Sequence, residues 1–531
     1  MMDSEINDRL SWGDALFLYL EREGMPLNIA SVSVFEGDIW LEDCTRFIES
    51  KLPSVPRYYQ RVVTPPLNIA LPTWEYDSEF DIRNHVREVT LKRGTEGELK
   101  TLAGRILSTV MDRQRPLWDF TLVHGLRGHR TGLLTRIHHC LADGIAGIGV
   151  MNVLLDASPE PRPLAKKTRP HPPRRQSDPL TRLLEACVRT YSDVIQRALT
   201  TQSDLLNAGE SIVAAGGWPA EFGKFLPEIT KPTERLCFNH TYRGPQKFAW
   251  AQIPTDEIKS IREKCGGTHN DVILALITAT IRRYAEMHGD KVNRRLLRMM
   301  VPVNVRGNDH HGDLGTRISL LPVTVPLGIR NPVRLLAAVH KRTEFLKRAH
   351  VADLVSLAGG LAGTTPVPLQ ALAGPFASLL PITPFNLVCT NVKGPQFPLY
   401  LLGHKMLDWY PYVPIGGEMT VNCAVLSYNG ITYFGFSGDV HAAPDLARLE
   451  RLLRQSFLEL QRTAGTGSAR GKKVMRAESK HAAPQFTAHS SISAPAPAPA
   501  PAPATGIRHS AKGEELPAGA TAFHKSVGHA A

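Results

Sequence analysis

The chain has no run of about 18 consecutive apolar residues, so a membrane-spanning helix is not expected. Its opening, Met1-Met2-Asp3-Ser4-Glu5-Ile6-Asn7-Asp8, is acidic and lacks the apolar stretch of a secretory signal. Seven cysteines are scattered along the sequence, none of them spaced Cys-x-x-Cys. That argues against a disulfide framework and a zinc knuckle, and suits a reducing compartment. The helical His-Glu-x-x-His spacing of a zinc protease and the Gly-x-Ser-x-Gly elbow of a serine hydrolase are both missing. Charge is missing too from Leu354 to Val392, where Pro366, Pro368, Pro375, Pro381 and Pro384 would break a continuous helix. This stretch is expected to be a helix followed by a loop that is buried, substrate-lining or laid against a membrane, with burial as the adopted reading.

What is present fits a globular protein with a sizeable core. Hydrophobic residues make up 43% and charged residues 21%, and 531 residues exceed what one core organises, so two domains are expected. The net charge of +12 favours anionic partners such as membrane headgroups, phosphorylated cofactors or nucleic acid, unless the basic surface serves none.

Ser11 caps a helix whose stripe is Leu16, Phe17 and Leu20, with Asp14 three residues after the cap. Ser31 to Val34 alternates like a half-buried strand. Helical spacing returns between Gly97 and Met111. Two strands, Trp118 to Leu122 and Leu133 to Ile137, flank a turn at Gly125 to Gly132, and the second runs into a pair of histidines. Residues 157–180 are rich in Pro, Arg and Lys and read as a surface linker, followed by a helical connector from about Leu180 to Leu199. A second α/β pattern starts near Thr233. It includes an amphipathic helix from Asn270 to Tyr284, ended by Gly289, and strands from Arg298 to Val305 and from Leu321 to Val325. Asn429-Gly430 between two alternating segments is the clearest hairpin signal. After about Gly465 the sequence turns to Ala/Pro alternation with Ser, His and Lys, and this basic tail is expected to be disordered.

Chemistry concentrates in His138-His139-Cys140-Leu141-Ala142-Asp143-Gly144, at a strand-to-helix corner. Neighbouring side chains on an extended segment face opposite ways, so only one of His138 and His139 can serve as a base, and the other must be structural. A neutral imidazole, with an ordinary pKa of about 6.5, can take a proton from a hydroxyl as its oxygen attacks a carbonyl. Asp143 before Gly144 suits a tight corner, its carboxylate holding an Arg or the local backbone. From the residues alone, a metal site through His138, His139 and Asp143 and a purely structural histidine pair also stand. His310-His311-Gly312-Asp313 looks like a second copy, but its spacing is too short and no catalysis is assigned to it.

The pattern His-His-x-x-x-Asp-Gly is that of the coenzyme A-dependent acyltransferase superfamily. The landmarks around it resemble the bacterial wax ester synthase/diacylglycerol acyltransferase family. These are Leu10-Ser11-Trp12-Gly13-Asp14, Pro116-Leu117-Trp118, Asn270-Asp271-Val272, Val301-Pro302-Val303-Asn304-Val305-Arg306, Asn391-Val392-Lys393-Gly394-Pro395, and Ser427-Tyr428-Asn429-Gly430 with Gly435 and Asp439. They run in family order over about residues 8–460. Three positions depart from the family pattern: Asn28 where His is frequent, Lys393 for Pro, and Thr316 for Asn.

The resemblance implies an α/β (α+β) fold of two chloramphenicol-acetyltransferase-like lobes, mixed sheets flanked by helices, with the active site between them. The expected division is an N-terminal lobe over 1–180, a helical connector over 181–230, a C-terminal lobe over 231–464 and the tail over 465–531. It implies His139 as general base, His138, Asp143 and Gly144 as its structural surroundings, and Asn270 and Asp271 as support from the second lobe; without it, Asn270 would read simply as a helix cap. Pro116-Leu117-Trp118 is expected to be packing. The implied reaction esterifies a long-chain alcohol or diacylglycerol with acyl-CoA as a substrate, giving wax ester or triacylglycerol, with no cofactor and no metal. Partners would be those substrates and a membrane or lipid-droplet surface, not nucleic acid, with the protein cytoplasmic and peripheral to lipid. Two alternatives keep their place: a polyketide or other secondary-metabolite alcohol as acceptor, and an inactive lipid-surface binding protein.

Overall fold

The computed structural model describes residues 9–142, 144–160, 188, 192, 195, 233–304, 318–349, 351, 365, 367–377 and 384–466. The Pro/Arg-rich linker from residue 161, nearly all of the helical connector, the His310-His311-Gly312-Asp313 loop and the tail from residue 467 lie outside them.

The first half opens with α1 (Trp12–Leu20), where Ser11 Oγ accepts the Asp14 N–H at 3.1 Å. There follow β1 (Asn28–Glu36), α2 (Leu41–Lys51), β2 (Gln60–Val63), β3 (Thr73–Tyr76), β4 (Val86–Thr90), α3 (Glu96–Leu107), β5 (Trp118–Leu126), β6 (Arg130–His138) and α4 (Gly144–Leu154). The second half contributes β7 (Gln246–Pro254), α5 (Thr255–Cys265), α6 (His269–Met287), β8 (Leu296–Asn304), β9 (Ile318–Pro326), α7 (Pro332–Arg348), α8 (Val367–Ala377) and β10 (Leu387–Lys393). It closes with β11 (Tyr400–Leu401), β12 (His404–Tyr412), β13 (Val421–Tyr428), β14 (Ile431–Asp439) and α9 (Arg448–Ala464).

Two mixed six-stranded sheets result. One has the order β11-β12-β1-β6-β5-β4, the other β7-β14-β13-β10-β8-β9. Sheet membership does not follow the chain: β12 leaves the second half and pairs antiparallel with β1, Ala30 opposite Tyr412 and Ser33 opposite Trp409. β1 is therefore central. Its expected half-buried alternation is replaced by burial of both faces, Ser33 included, and Ser31 Oγ finds Thr135 Oγ1 at 2.8 Å. The Asn429-Gly430 hairpin forms with both residues at positive φ, 45° and 81°, as a two-residue turn between twisted strands requires. Of the charge-free stretch, Thr365, α8 and residues 384–392 are described: α8 packs on α1 and buries Val367 while leaving Leu369 and Leu372 more than half exposed, and the end of the stretch, expected as loop, runs into β10 with Leu387 and Cys389 buried.

The halves meet where α3 lies on β7 and where β12 lies on β14. The helix expected to reach Met111 ends at Leu107. Ser108 Oγ donates to Gly104 O and accepts the Gln246 N–H, which ties the helix end to β7. Trp250 stacks on Tyr410 at 4.6 Å, and Phe248 meets Tyr412 edge-on at 5.5 Å. Two glycines permit the approach. A Cβ on Gly104 would sit 2.8 Å from Gln246 O, and one on Gly435 would sit 1.7 Å from Pro411 O. Gly435→Ala should therefore push β12 from β14 and lower stability by about 1–3 kcal/mol, the range for overpacking a filled interior. A denaturation midpoint within error of wild type would show that the seam is looser than described.

Candidate active site

The site starts from β6, whose last residue brings His138 into register with Asn28 of β1. His138 is fully buried. Its Nδ1 accepts the Cys140 N–H at 3.1 Å, which places the ring proton on Nε2. Nε2 lies 3.3 Å from Glu21 Oε1, so the N–H side of the ring faces the carboxylate, though off the hydrogen-bond axis. Glu21 follows α1 directly. Its Oε1 accepts the Leu27 N–H at 3.0 Å and its Oε2 the Arg113 guanidinium at 3.1 Å. Burial alone would raise this carboxyl, but His138, the Leu27 N–H and Arg113 together hold it down at about 2. His138 is thus enclosed, its ring committed to the Cys140 N–H and to Glu21.

His139 turns the other way. Its N–H donates to Leu27 O at 3.0 Å, and its ring stacks on Phe17 of α1 with centroids 3.7 Å apart and planes within 10°. The ring is only partly open. Nδ1 is buried and, among the described residues, meets only its own main chain, without good hydrogen-bond geometry. Burial pulls the His139 pKa down to about 4; the contact with its own backbone opposes this and the neighbouring His138 adds to it. An unfolded chain binds this proton near 6.5, so acid favours unfolding progressively as pH falls from 6.5 towards 4.

The strand beneath is braced by a buried cation. Arg136 pairs with Asp119, its strand neighbour on β5, and donates to the carbonyls of Ile106 and Thr109 at the end of α3. Asn28 Nδ2 reaches the same Thr109 carbonyl at 3.3 Å. Pro116-Leu117-Trp118 is packing, as expected: Leu117 and Trp118 are buried, and the indole N–H donates to Tyr58 O at 2.9 Å.

Gly144 begins α4, and the second half arrives beside it. A Cβ on Gly144 would lie 3.6 Å from Val392 of β10. The neighbouring Asn391 donates from Nδ2 to Asn270 Oδ1 at 3.0 Å, so Asn270 joins the strand that abuts the corner. Asn270 is not the helix cap. Thr268 caps α6, accepting the Asp271 N–H, while Asp271 Oδ2 takes the Thr268 N–H in return. The same Asp271 carboxylate, fully buried, takes His340 Nδ1 at 2.9 Å and the Thr343 hydroxyl at 2.6 Å, so it fastens α6 to α7. Burial raises its pKa, but these hydrogen bonds outweigh that and leave it below the ordinary value. Asp143 lies outside the described residues.

Comparison with known proteins places the chain in a family. The wax ester synthase/diacylglycerol acyltransferase catalytic domain matches residues 10–273, and the C-terminal domain of the same family matches residues 314–461. A probable diacylglycerol O-acyltransferase of Mycobacterium tuberculosis is 28% identical over 455 residues, covering 84% of this chain and 94% of its own. A second from that organism is 26% identical over 470 residues, covering 86% of this chain and all of its own. Among solved structures, the wax ester synthase/diacylglycerol acyltransferase from Marinobacter aquaeolei VT8 superposes with a TM-score of 0.60 at 23% identity, covering 86% of this chain and 100% of that one. The first condensation domain of the calcium-dependent antibiotic synthetase superposes with 0.53 at 16% identity, covering 87% and 98%. These structural likenesses establish the two-lobed fold.

The Glu21 brace can be tested directly. Glu21→Ala leaves the buried ring of His138 and the Leu27 N–H unpaired and should cost about 3 kcal/mol in denaturant unfolding, as for other broken buried pairs. A change below about 0.5 kcal/mol, the scale of an ordinary surface substitution, would show that the carboxylate does not organise the site.

Proposed function

The chain belongs to the wax ester synthase/diacylglycerol acyltransferase family and is an O-acyltransferase; we propose that it transfers an acyl group from coenzyme A to the hydroxyl of a long-chain alcohol or diacylglycerol, with His139 as general base. The observation that carries this reading is the His139 ring, partly open and held by Phe17 and Leu27, where burial favours its neutral form.

With Nδ1 turned inward to the main chain, Nε2 is the nitrogen left to meet substrate. The acceptor hydroxyl gives its proton to Nε2 while its oxygen bonds to the thioester carbonyl carbon. The tetrahedral intermediate then collapses, the carbon–sulfur bond breaks, and the departing sulfur takes the proton back from the imidazolium. Base assistance of this kind is worth about 10²–10⁴-fold. His138 with Glu21 sets the strand direction that aims His139. Val392 approaches the corner at Gly144, and the Asn270–Asn391 pair stiffens that approach from the second half. Asp143 is assigned a structural part in the motif, and Asp271 supports from a distance by reciprocating the Thr268 cap of α6 and fastening α6 to α7.

The names of the mycobacterial relatives support diacylglycerol as an acceptor. Lipid acceptors also fit a protein that works at the surface of a membrane or lipid inclusion. No helix among the described residues is long and apolar enough to cross a membrane. Leu369 and Leu372, exposed on an uncharged helix beside α1, suit contact with such a surface.

Purified protein given radiolabelled palmitoyl-CoA with hexadecanol or dipalmitoylglycerol should form neutral lipid; none from either acceptor refutes the proposal. His139→Ala should keep its circular dichroism spectrum and lose about 10²–10⁴-fold in kcat. Because only the neutral ring can act, activity should hold from pH 8 to 5 and fall as pH drops through about 4. An acid limb near 6.5 would mean that water reaches the ring freely.

A further inference from the structure

An open cleft of about 430 Å³ in the second half shares no lining residue with the surroundings of His139. Both acids on its wall are already committed. Asp439, 1% exposed, takes the N–H groups of Arg243 and Gly244 on Oδ2, each at 2.7 Å, and those of His441 and Ala442 on Oδ1 at 2.7 and 3.1 Å. Four donors use the accepting capacity of one carboxylate. Glu418, 6% exposed, is forked onto the Arg235 guanidinium, with Nε at 3.0 Å. What remains to face the cleft is rich in donors. The Arg243 guanidinium has no carboxylate within ion-pair distance among the described residues, and the imidazoles of His240 and His441 are exposed beside it. A guanidinium without a carboxylate partner, beside two imidazoles and acids whose oxygens are already occupied by donors, can take an anion, and its planar fork matches the oxygens of a phosphate.

The cleft is also coupled to the site. Arg243 is exposed while the preceding Tyr242 turns inward and packs with Met25 and Ile415. Met25 belongs to the turn between Glu21 and Leu27, whose carbonyl holds the His139 N–H. One packed layer therefore separates the cleft's inner wall from the loop that carries the base. Coenzyme A presents phosphates at the end of the molecule remote from its thioester, the part of the donor that a site apart from His139 would hold.

We propose that this cleft, through Arg243 with His240 and His441, binds phosphate groups, and that these are the phosphates of the coenzyme A donor. The second clause rests on the donor proposed above. A phospholipid headgroup offers the same chemistry, so the test separates the two sources.

Wild type, Arg243→Ala and Arg243→Lys would be compared with palmitoyl-CoA and with the palmitoyl thioester of N-acetylcysteamine, which carries the same acyl group and no phosphate. Arg243→Ala should raise KM for palmitoyl-CoA about tenfold, the loss of one charged hydrogen bond. It should leave kcat and the KM of the phosphate-free thioester unchanged, and Arg243→Lys should recover part of the loss. An unchanged KM for palmitoyl-CoA overturns the donor assignment. In that case, loss by Arg243→Ala of cosedimentation with phosphatidylglycerol vesicles, but not phosphatidylcholine vesicles, upholds the phosphate site with a headgroup as its ligand. No change in either measurement overturns the site altogether. Should neither thioester react, the failure lies with the donor reading, and calorimetric binding of adenosine 3′,5′-bisphosphate to wild type but not to Arg243→Ala decides the cleft on its own.

Discussion

The Glu21 side chain is 2% exposed, and an ionised carboxylate so placed costs several kcal/mol unless its partners are close and well aimed. Three partners converge on it: His138, the Leu27 N–H and Arg113. Each comes from a different piece of chain, so satisfying one charge fixes the end of β6, the turn into β1 and the segment after α3. Once His138 is committed to Glu21, the alternation of an extended segment sends His139 to the opposite side, against Phe17. His139, the proposed base, is positioned by a charge it does not touch.

That arrangement would be a loose corner on one lobe without the second half. β12 crosses over to pair with β1, the strand beside β6, and so makes the site's own sheet depend on chain from the other lobe. Gly104 and Gly435 bring backbone to backbone at the seam, and the stacked Trp250 and Tyr410 fill it with apolar area. Val392 then meets Gly144, with Asn391 and Asn270 tied behind it. Packed interiors transmit such placements because they hold few voids to absorb a shift.

Much of this could be read in the residues. The helix from Asn270, the hairpin at Asn429-Gly430 and the strands around the histidine pair follow from periodicity and turn chemistry, which act locally. The division of labour between the histidines followed from alternation alone, while the choice of His139 needed the family landmarks. Other features carried no local signal. Glu21 is a single acidic residue after a helix, and nothing beside it announces a histidine more than a hundred positions away. The crossing of β12 reflects pairing across most of the chain length, which no short window contains. Asn270 looked like a cap because Asn caps helices well, but Thr268 two positions earlier does so too and gains a reciprocal bond from Asp271. The burial of Ser31 and Ser33 escaped alternation because β1 is central and covered on both faces.

The account turns on a His139 ring kept neutral by burial against Phe17. Carbon-13 labelling of histidine and NMR titration, with His139→Ala to identify the resonance, reads that state without reference to turnover. A His139 signal that titrates near pH 4, and moves upward when Phe17 is replaced by Ala, is the predicted result. A signal titrating near 6.5 in the intact protein would contradict it.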